Sequence, residues 1–228
     1  MTYAEDGSET KKEFDIQEVY RVGYSEEEIE RGLTDDNADV RYQFAQHFDF
    51  TPTSEQVERG LTDEDRCVRQ VWAERMDYTP TPAQVERGLM DKNWFALSSW
   101  VGRRDFTPTP EQVERGLADE CERALCWIKR TDFVPTPAQV ERGLADEDDR
   151  VRRAWAERMD YTPTPAQIER GLTDEVWLVR LAWVERADYV PTRAQIMRLR
   201  EDDSGRVLMA WRYRQDDILF SGGTLPSE

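Results

Sequence analysis

One glycine recurs through most of this chain. Gly32, Gly60, Gly88, Gly116, Gly143 and Gly171 follow one another at intervals of 28, 28, 28, 27 and 28 residues. A period of this length commits a chain to stacked repeats, because so short a unit cannot enclose a core and must bury its apolar side against its neighbours. Each copy carries an aspartate three residues after the glycine: Asp35, Asp63, Asp91, Asp119, Asp146 and Asp174. A seventh, degenerate copy keeps Asp202 but has Arg198-Leu199 in register without the glycine.

Every copy reads as two short helices. Thr81-Pro82-Ala83-Gln84 supplies an N-cap, a proline at the first helical position and a glutamine that can reach back to the cap. The same box stands at Thr53–Gln56, Thr109–Gln112, Thr136–Gln139, Thr164–Gln167 and Thr192–Gln195. Val85 and Leu89 mark the buried side of the first helix, with Glu86 and Arg87 facing water. The glycine either closes this helix or lets the next one approach. The second helix begins near the Asp column, whose carboxylate is expected to cap it. Val68, Trp72 and Met76, four apart, mark its buried face. Its central position is aromatic throughout: Phe44, Trp72, Trp100, Trp127, Trp155, Trp183 and Trp211. Such a stripe is expected to be the spine of the stack. Arg75, Arg103, Arg130, Arg158, Arg186 and Arg214 form a further column near the helix end, where cations suit the helix dipole. The first copy has His47 there, the chain's one histidine, read as a surface substitution.

These motifs, seen together in Gly143–Leu172, resemble the leucine-rich repeat variant and the short HEAT-like repeats over residues 24–216. The shared pattern is Leu, Asp, then Val-Arg, then a second helix and a Thr-Pro start to the next unit. Asp35/Arg41, Asp63/Arg69, Asp146/Arg152 and Asp174/Arg180 keep its six-residue spacing. The resemblance implies an Asp–Arg ladder along the inside of the stack, and binding of other macromolecules. The centre is aromatic here where the family is Ala-rich, and the unit is longer. One family member holds an iron–sulfur cluster in a Cys-rich N-terminal segment; this chain has no Cys before Cys67, so no such cofactor carries over.

The chain has 228 residues, 35% of them charged, and a net charge of −17. Eight Trp and eight Phe exclude a disordered acidic chain. Residues 1–49 hold 14 acids and 5 bases. This charge repels nucleic acid and steers the chain towards basic surfaces, or serves only solubility. No apolar run spans a membrane and Met1–Glu18 is polar, unlike a signal peptide. Three cysteines, Cys67, Cys121 and Cys126, suit a reducing, cytoplasmic location. There is no phosphate-binding glycine loop and no His pair for a metal, and the carboxylates fall on repeated, solvated columns. The expectation is no catalytic residue, no cofactor and no metal.

Departures from the repeat mark candidate surfaces. Copy three replaces Val-Arg with Ala96-Leu97, and copy four is one residue short. Asp91 and Asp119 are therefore expected to lack arginine partners. Copy three carries a net charge of +1, against −2 or −3 in copies two, four, five and six. Trp94 and Trp177 share one position, three after the repeat Asp, expected at the turn between helices and partly exposed. Exposed tryptophans are typical interface anchors; the alternative is that each folds over its neighbouring repeat.

The expected fold is an all-α, right-handed superhelical solenoid of about seven two-helix repeats of roughly 28 residues. Residues 1–23 form an acidic leader with a capping helix over Glu13–Tyr20, residues 24–216 the solenoid, and residues 217–228 a tail that caps the last repeat or joins two chains. The expected function is a non-catalytic scaffold presenting an acidic surface to a basic partner protein, with Trp94, Trp177, Asp91, Asp119, Glu86, Glu114 and Glu141 as candidate contacts. The alternative is a nucleic-acid mimic that inhibits a basic nucleic-acid-binding protein, of the phage anti-restriction or anti-CRISPR type; catalysis is a remote third reading. Direct nucleic-acid or membrane binding is not expected.

Overall fold

A computed structural model of the chain describes residues 23–47 and 49–220, with positions 216–220 described as helix backbone. Among the described residues there are fourteen helices and no strand. The chain divides into two compact units between Asp105 and Phe106. The first unit holds three helix pairs: α1 (Glu26–Leu33) with α2 (Ala38–Gln46), α3 (Ser54–Leu61) with α4 (Arg66–Glu74), and α5 (Pro82–Gly88) with α6 (Trp94–Gly102). The second unit holds four: α7 (Pro110–Leu117) with α8 (Cys121–Ile128), α9 (Pro137–Leu144) with α10 (Asp149–Glu157), α11 (Pro165–Leu172) with α12 (Trp177–Glu185), and α13 (Arg193–Leu199) with α14 (Gly205–Phe220). Each unit is thus a stack of two-helix repeats, as the glycine period requires. Within each unit the second helices pack on one another more closely than the first helices do. The leader, the helix expected over Glu13–Tyr20 and residues 221–228 lie outside the described residues; α14 runs past the expected boundary at 216.

The first helices start where the capping boxes stand. All six Thr-x-x-Gln boxes close in both directions, and Ser25 with Glu28 makes a seventh. The repeat glycine lies inside or at the end of its helix, not beyond it, and is needed for close approach. A Cβ on Gly60 would meet the Trp72 indole at 2.1 Å, and one on Gly171 would meet Trp183 at 2.0 Å. The glycine and the aromatic of one copy therefore form a single packing unit. All seven central aromatics are buried, from Phe44 at 0% to Trp100 at 3% exposed. In copy seven Leu199 takes the glycine's register, and Trp211 Nε1 is a buried nitrogen without a hydrogen-bond acceptor among the described residues.

Two expectations about the second helix fail. Met76 is exposed, not buried, because α4 stops at Glu74 and Arg75 turns into extended backbone at φ −65°, ψ 132°. Continuing a four-residue period past that turn puts Met76 on the wrong face. The Asp column does not cap the second helix either. Asp63 Oδ1 accepts from the Asp65 N–H at 2.8 Å, an Asx turn that leaves Asp63 two residues short of the helix. The capping side chains are Asn37, Asp65, Asn93 and Asp148, whereas α8 and α12 have none.

The arginine column departs furthest from expectation. Arg75, Arg103, Arg130, Arg158, Arg186 and Arg214 are all buried. Arg103 is one example: Nη1 donates to Ala73 O at 2.8 Å and Arg75 O at 2.6 Å, at the C-terminal end of the preceding second helix. Its Nε and Nη2 fork onto Asp105 two residues on, and its Cζ lies 4.8 Å from the centroid of the Tyr78 ring. The cation does complement a helix dipole, but the dipole belongs to the repeat before it. Sequence alone hides this, because carbonyls that a helix leaves unpaired can be capped from anywhere in space. His47, in the first copy's place, is half-buried and meets Tyr24 edge-to-face with ring centroids 5.3 Å apart, so it is not a plain surface residue.

Candidate protein-binding surface

With so many charges on the chain, the surface is found by first removing those the fold consumes. One ladder joins successive first helices. Gln167 Oε1 accepts from its own cap, Thr164 N, while Nε2 donates to Glu141 of the preceding repeat at 2.8 Å. Arg170 pairs with the same Glu141 at 2.6 Å. Glu30, Glu58, Glu114 and Glu169 are held alike. The box uses Gln, not Glu, because only an amide can accept on one side and donate on the other. Arg142 and Gln139 hold the Glu114 carboxyl below its ordinary range, and Arg170 with Gln167 does the same for Glu141.

The signs of these shifts fix the pH response. Carboxylates held low contribute stability that is complete above the ordinary value of 4.5 and is lost as pH falls through their folded values. Gln167→Glu would keep the cap but set a second carboxylate against Glu141. We expect a loss of about 1 kcal/mol at pH 7, shrinking as pH drops below about 4.5. Chemical denaturation at the two pH values checks this; a pH-independent loss would refute the ladder.

A second ladder is the one the Asp–Arg spacing implied, but its rungs cross between repeats. Arg41 forks onto Asp63 of the next copy, with both bonds at 2.8 Å, while its Nη1 donates to its own Asp35 carbonyl at 2.9 Å. Arg69–Asp91, Arg152–Asp174 and Arg180–Asp202 repeat the arrangement. This corrects the expectation for Asp91, which accepts from Arg69 at 2.7 Å, and for Asp119, which Arg123 of its own copy holds at 2.6 Å. A missing arginine in one copy deprives the next copy's aspartate, not its own. Leu97 and Ala124 stand three residues before Trp100 and Trp127, where the rung arginines stand in their copies.

Of the carboxylates expected at the surface, Glu114, Glu141, Asp91 and Asp119 are thus engaged within the fold, and Glu86 interacts as well. A row that sequence reasoning passed over is solvent-exposed: the residue directly after each repeat aspartate. In the second unit it is Glu120, Glu147, Glu175 and Asp203, and in the first Asp36, Glu64 and then Lys92, all exposed. The side chains of Glu64, Glu175 and Asp203 are 89%, 88% and 90% exposed, although the rung arginines Arg41, Arg152 and Arg180 reach them at 3.6, 4.0 and 2.5 Å. The signal was available, since six of these seven positions are acidic.

The two tryptophans differ. Both begin second helices, α6 and α12, and neither lies in the preceding turn. Trp177 is half-buried against the second unit's core, with Arg206 Cζ 5.8 Å from its ring centroid. Trp94 is 41% exposed and lies 4.7 Å from Phe95, itself 46% exposed. A shallow open depression of about 800 Å³ in the same unit is lined by Leu61, Ala83, Met90 and Lys92 among others.

The nucleophile and metal inventory is plain. All three cysteines are free, and burial together with a hydrogen bond to Asp148 pushes the Cys121 thiol up to about 11, away from thiolate chemistry. Among the described residues no group of three or more His, Cys, Asp or Glu could hold a metal. No described helix is long and apolar enough to cross a membrane.

Paired helices, a repeat-spaced glycine and inter-repeat ladders define a helical-repeat scaffold. The chain is similar to a solved protein described as a leucine-rich repeat variant with a novel repetitive structural motif, at 25% identity and a TM-score of 0.59. The match covers 82% of this chain and 70% of that one. No family model matches the chain, and no characterised protein sequence does. The likeness to leucine-rich repeat variants expected from Gly143–Leu172 is therefore present in three dimensions.

Proposed function

We propose that this protein is a non-catalytic scaffold that binds a protein with a basic surface. The observation that carries the reading is the unbroken exposed row Glu120, Glu147, Glu175 and Asp203. The fold buries or ties its ladder carboxylates; this row is one position removed from the rungs, and even Glu175 and Asp203, beside Arg152 and Arg180, keep 88% and 90% of their side chains exposed. A line of like charges at repeat spacing suits a partner carrying several cations, and such pairing sets on-rate and specificity more than raw affinity. Trp94 adds apolar contact area in the first unit.

The test replaces Glu120 and Glu147 by lysine and, because Arg152 and Arg180 stand beside the other two, Glu175 by glutamine and Asp203 by asparagine, all in one variant. Glu120 and Glu147 are solvated and the two amides set no new cation beside Arg152 or Arg180, so the melting temperature should fall by no more than a few degrees. Proteins retained from a cell lysate by the immobilised parent should be lost from the variant, and their binding should weaken at least about tenfold from low to moderate salt. Retention of the same proteins by the variant would defeat the proposal. Displacement of the partner by duplex DNA would instead mark the chain as a nucleic-acid mimic.

A further inference from the structure

We propose that Trp94 and Phe95 form a seat for an arginine side chain on a basic segment of a partner protein, an inference that rests on the partner-binding reading above. The molecule itself shows what covers a tryptophan in this register. Trp94 and Trp177 each stand six residues after their repeat glycine and open a second helix. Over Trp177 the chain places its own guanidinium, Arg206, second residue of the next repeat's second helix, with Cζ 5.8 Å from the ring centroid. A cation over an indole face is a favourable arrangement, stronger as water is excluded. Trp94 keeps 41% of its surface open, and Phe95 stands beside it with the two rings tilted by 39°. Two aromatic faces at an angle suit a flat guanidinium, which stacks where an ammonium offers only a compact charge.

The surroundings agree with that occupant. No residue of α6 is charged, so its own helix neither repels a cation nor neutralises one. In the preceding repeat the Glu64 carboxylate, 3.6 Å from Arg41 Nη2 but 89% exposed, keeps room for further basic groups on the same segment. The whole chain carries −17 and draws basic partners in. Lys92, two residues before Trp94, is the opposing charge, and its replacement by glutamate should tighten binding. Met90, 60% exposed, adds apolar surface in the same repeat for the aliphatic stem of the arginine.

The probes are a fluorescein-labelled peptide alternating glycine and arginine and one of equal length alternating glycine and lysine, followed by anisotropy on the full chain. The parent should bind the arginine peptide about three- to tenfold more tightly. Trp94→Ala, at an exposed helix start, should remove that preference, and Phe95→Ala should reduce it. Glu64→Gln should weaken both peptides alike. Parity on the parent, or a preference that survives Trp94→Ala, overturns the seat. If both peptides bind equally and salt-sensitively, the acidic scaffold stands and only the seat is lost; if neither binds, both readings fall.

Discussion

Arg186→Ala is expected to destabilise the second unit by about 3 kcal/mol, lowering its melting midpoint by about 10–20 °C. Arg186 is 2% exposed and its guanidinium satisfies acceptors from two repeats. Nη1 donates to Ala156 O at 2.8 Å and Arg158 O at 2.6 Å, Nη2 to Tyr161 O at 3.2 Å, and the fork grips Asp188 at 3.0 and 2.6 Å. Truncation leaves carbonyls at the end of α10 without donors and a carboxylate without its cation. Asp188 is 27% exposed and can recruit water, so the loss belongs at the lower end of what breaking a buried ion pair costs. Arg186→Lys should recover less than half of it, because an ammonium cannot fork onto a carboxylate while reaching carbonyls of another repeat. Thermal unfolding followed by circular dichroism gives the comparison, and a lysine variant as stable as the parent would show that charge alone matters. Tyr161 closes the same cluster: its hydroxyl donates to Trp155 O at 2.9 Å, and burial pushes its pKa up to about 12.

The second large effect sets two physical terms against each other. Gly171→Ala should gain about 1 kcal/mol in helix propensity, since Gly171 lies within α11. The new Cβ would stand 2.0 Å from Trp183 Nε1 and 2.2 Å from Cδ1, on a ring that is 1% exposed and cannot move aside. Overlap should win, giving a net loss of about 2–3 kcal/mol. Gly102→Ala provides the opposite case: Gly102 is helical and a Cβ added there would meet nothing within 4 Å, so the same substitution should be neutral or stabilising by up to about 1 kcal/mol. Adding Trp183→Leu to Gly171→Ala should restore part of the loss, with a coupling of about 1 kcal/mol or more. Urea denaturation of the parent and these variants, with Trp183→Leu alone completing the cycle, decides it. Equal signs at the two glycines would mean that propensity, not ring approach, governs the repeat glycine.

Much of the fold was legible from local chemistry. The capping boxes from Thr53 to Thr192 depend on residues three apart, and all of them form. The aromatic column is buried from Phe44 to Trp211, as its period required. The surface was legible only in part. Glu114 and Glu141 look like free carboxylates along the chain, yet each is held by Gln and Arg 25–29 residues later. Trp94 and Trp177 share one register but not one environment: Arg206 stands over the second ring, and the first keeps 41% of its surface exposed. The acidic row after the repeat aspartate could have been found by reading one column further.

The sequence by itself determined the unit, its period and its two helices, because caps, helix faces and glycine spacing act over a few residues. It also determined that the rings must be shared between copies, since one pair of helices is too small to cover them. Only the tertiary structure decided which charges hold the stack together and which stay exposed at the surface. An arginine side chain spans the distance between neighbouring repeats, so its acceptors are chosen by stacking geometry, and no pattern within one copy specifies them.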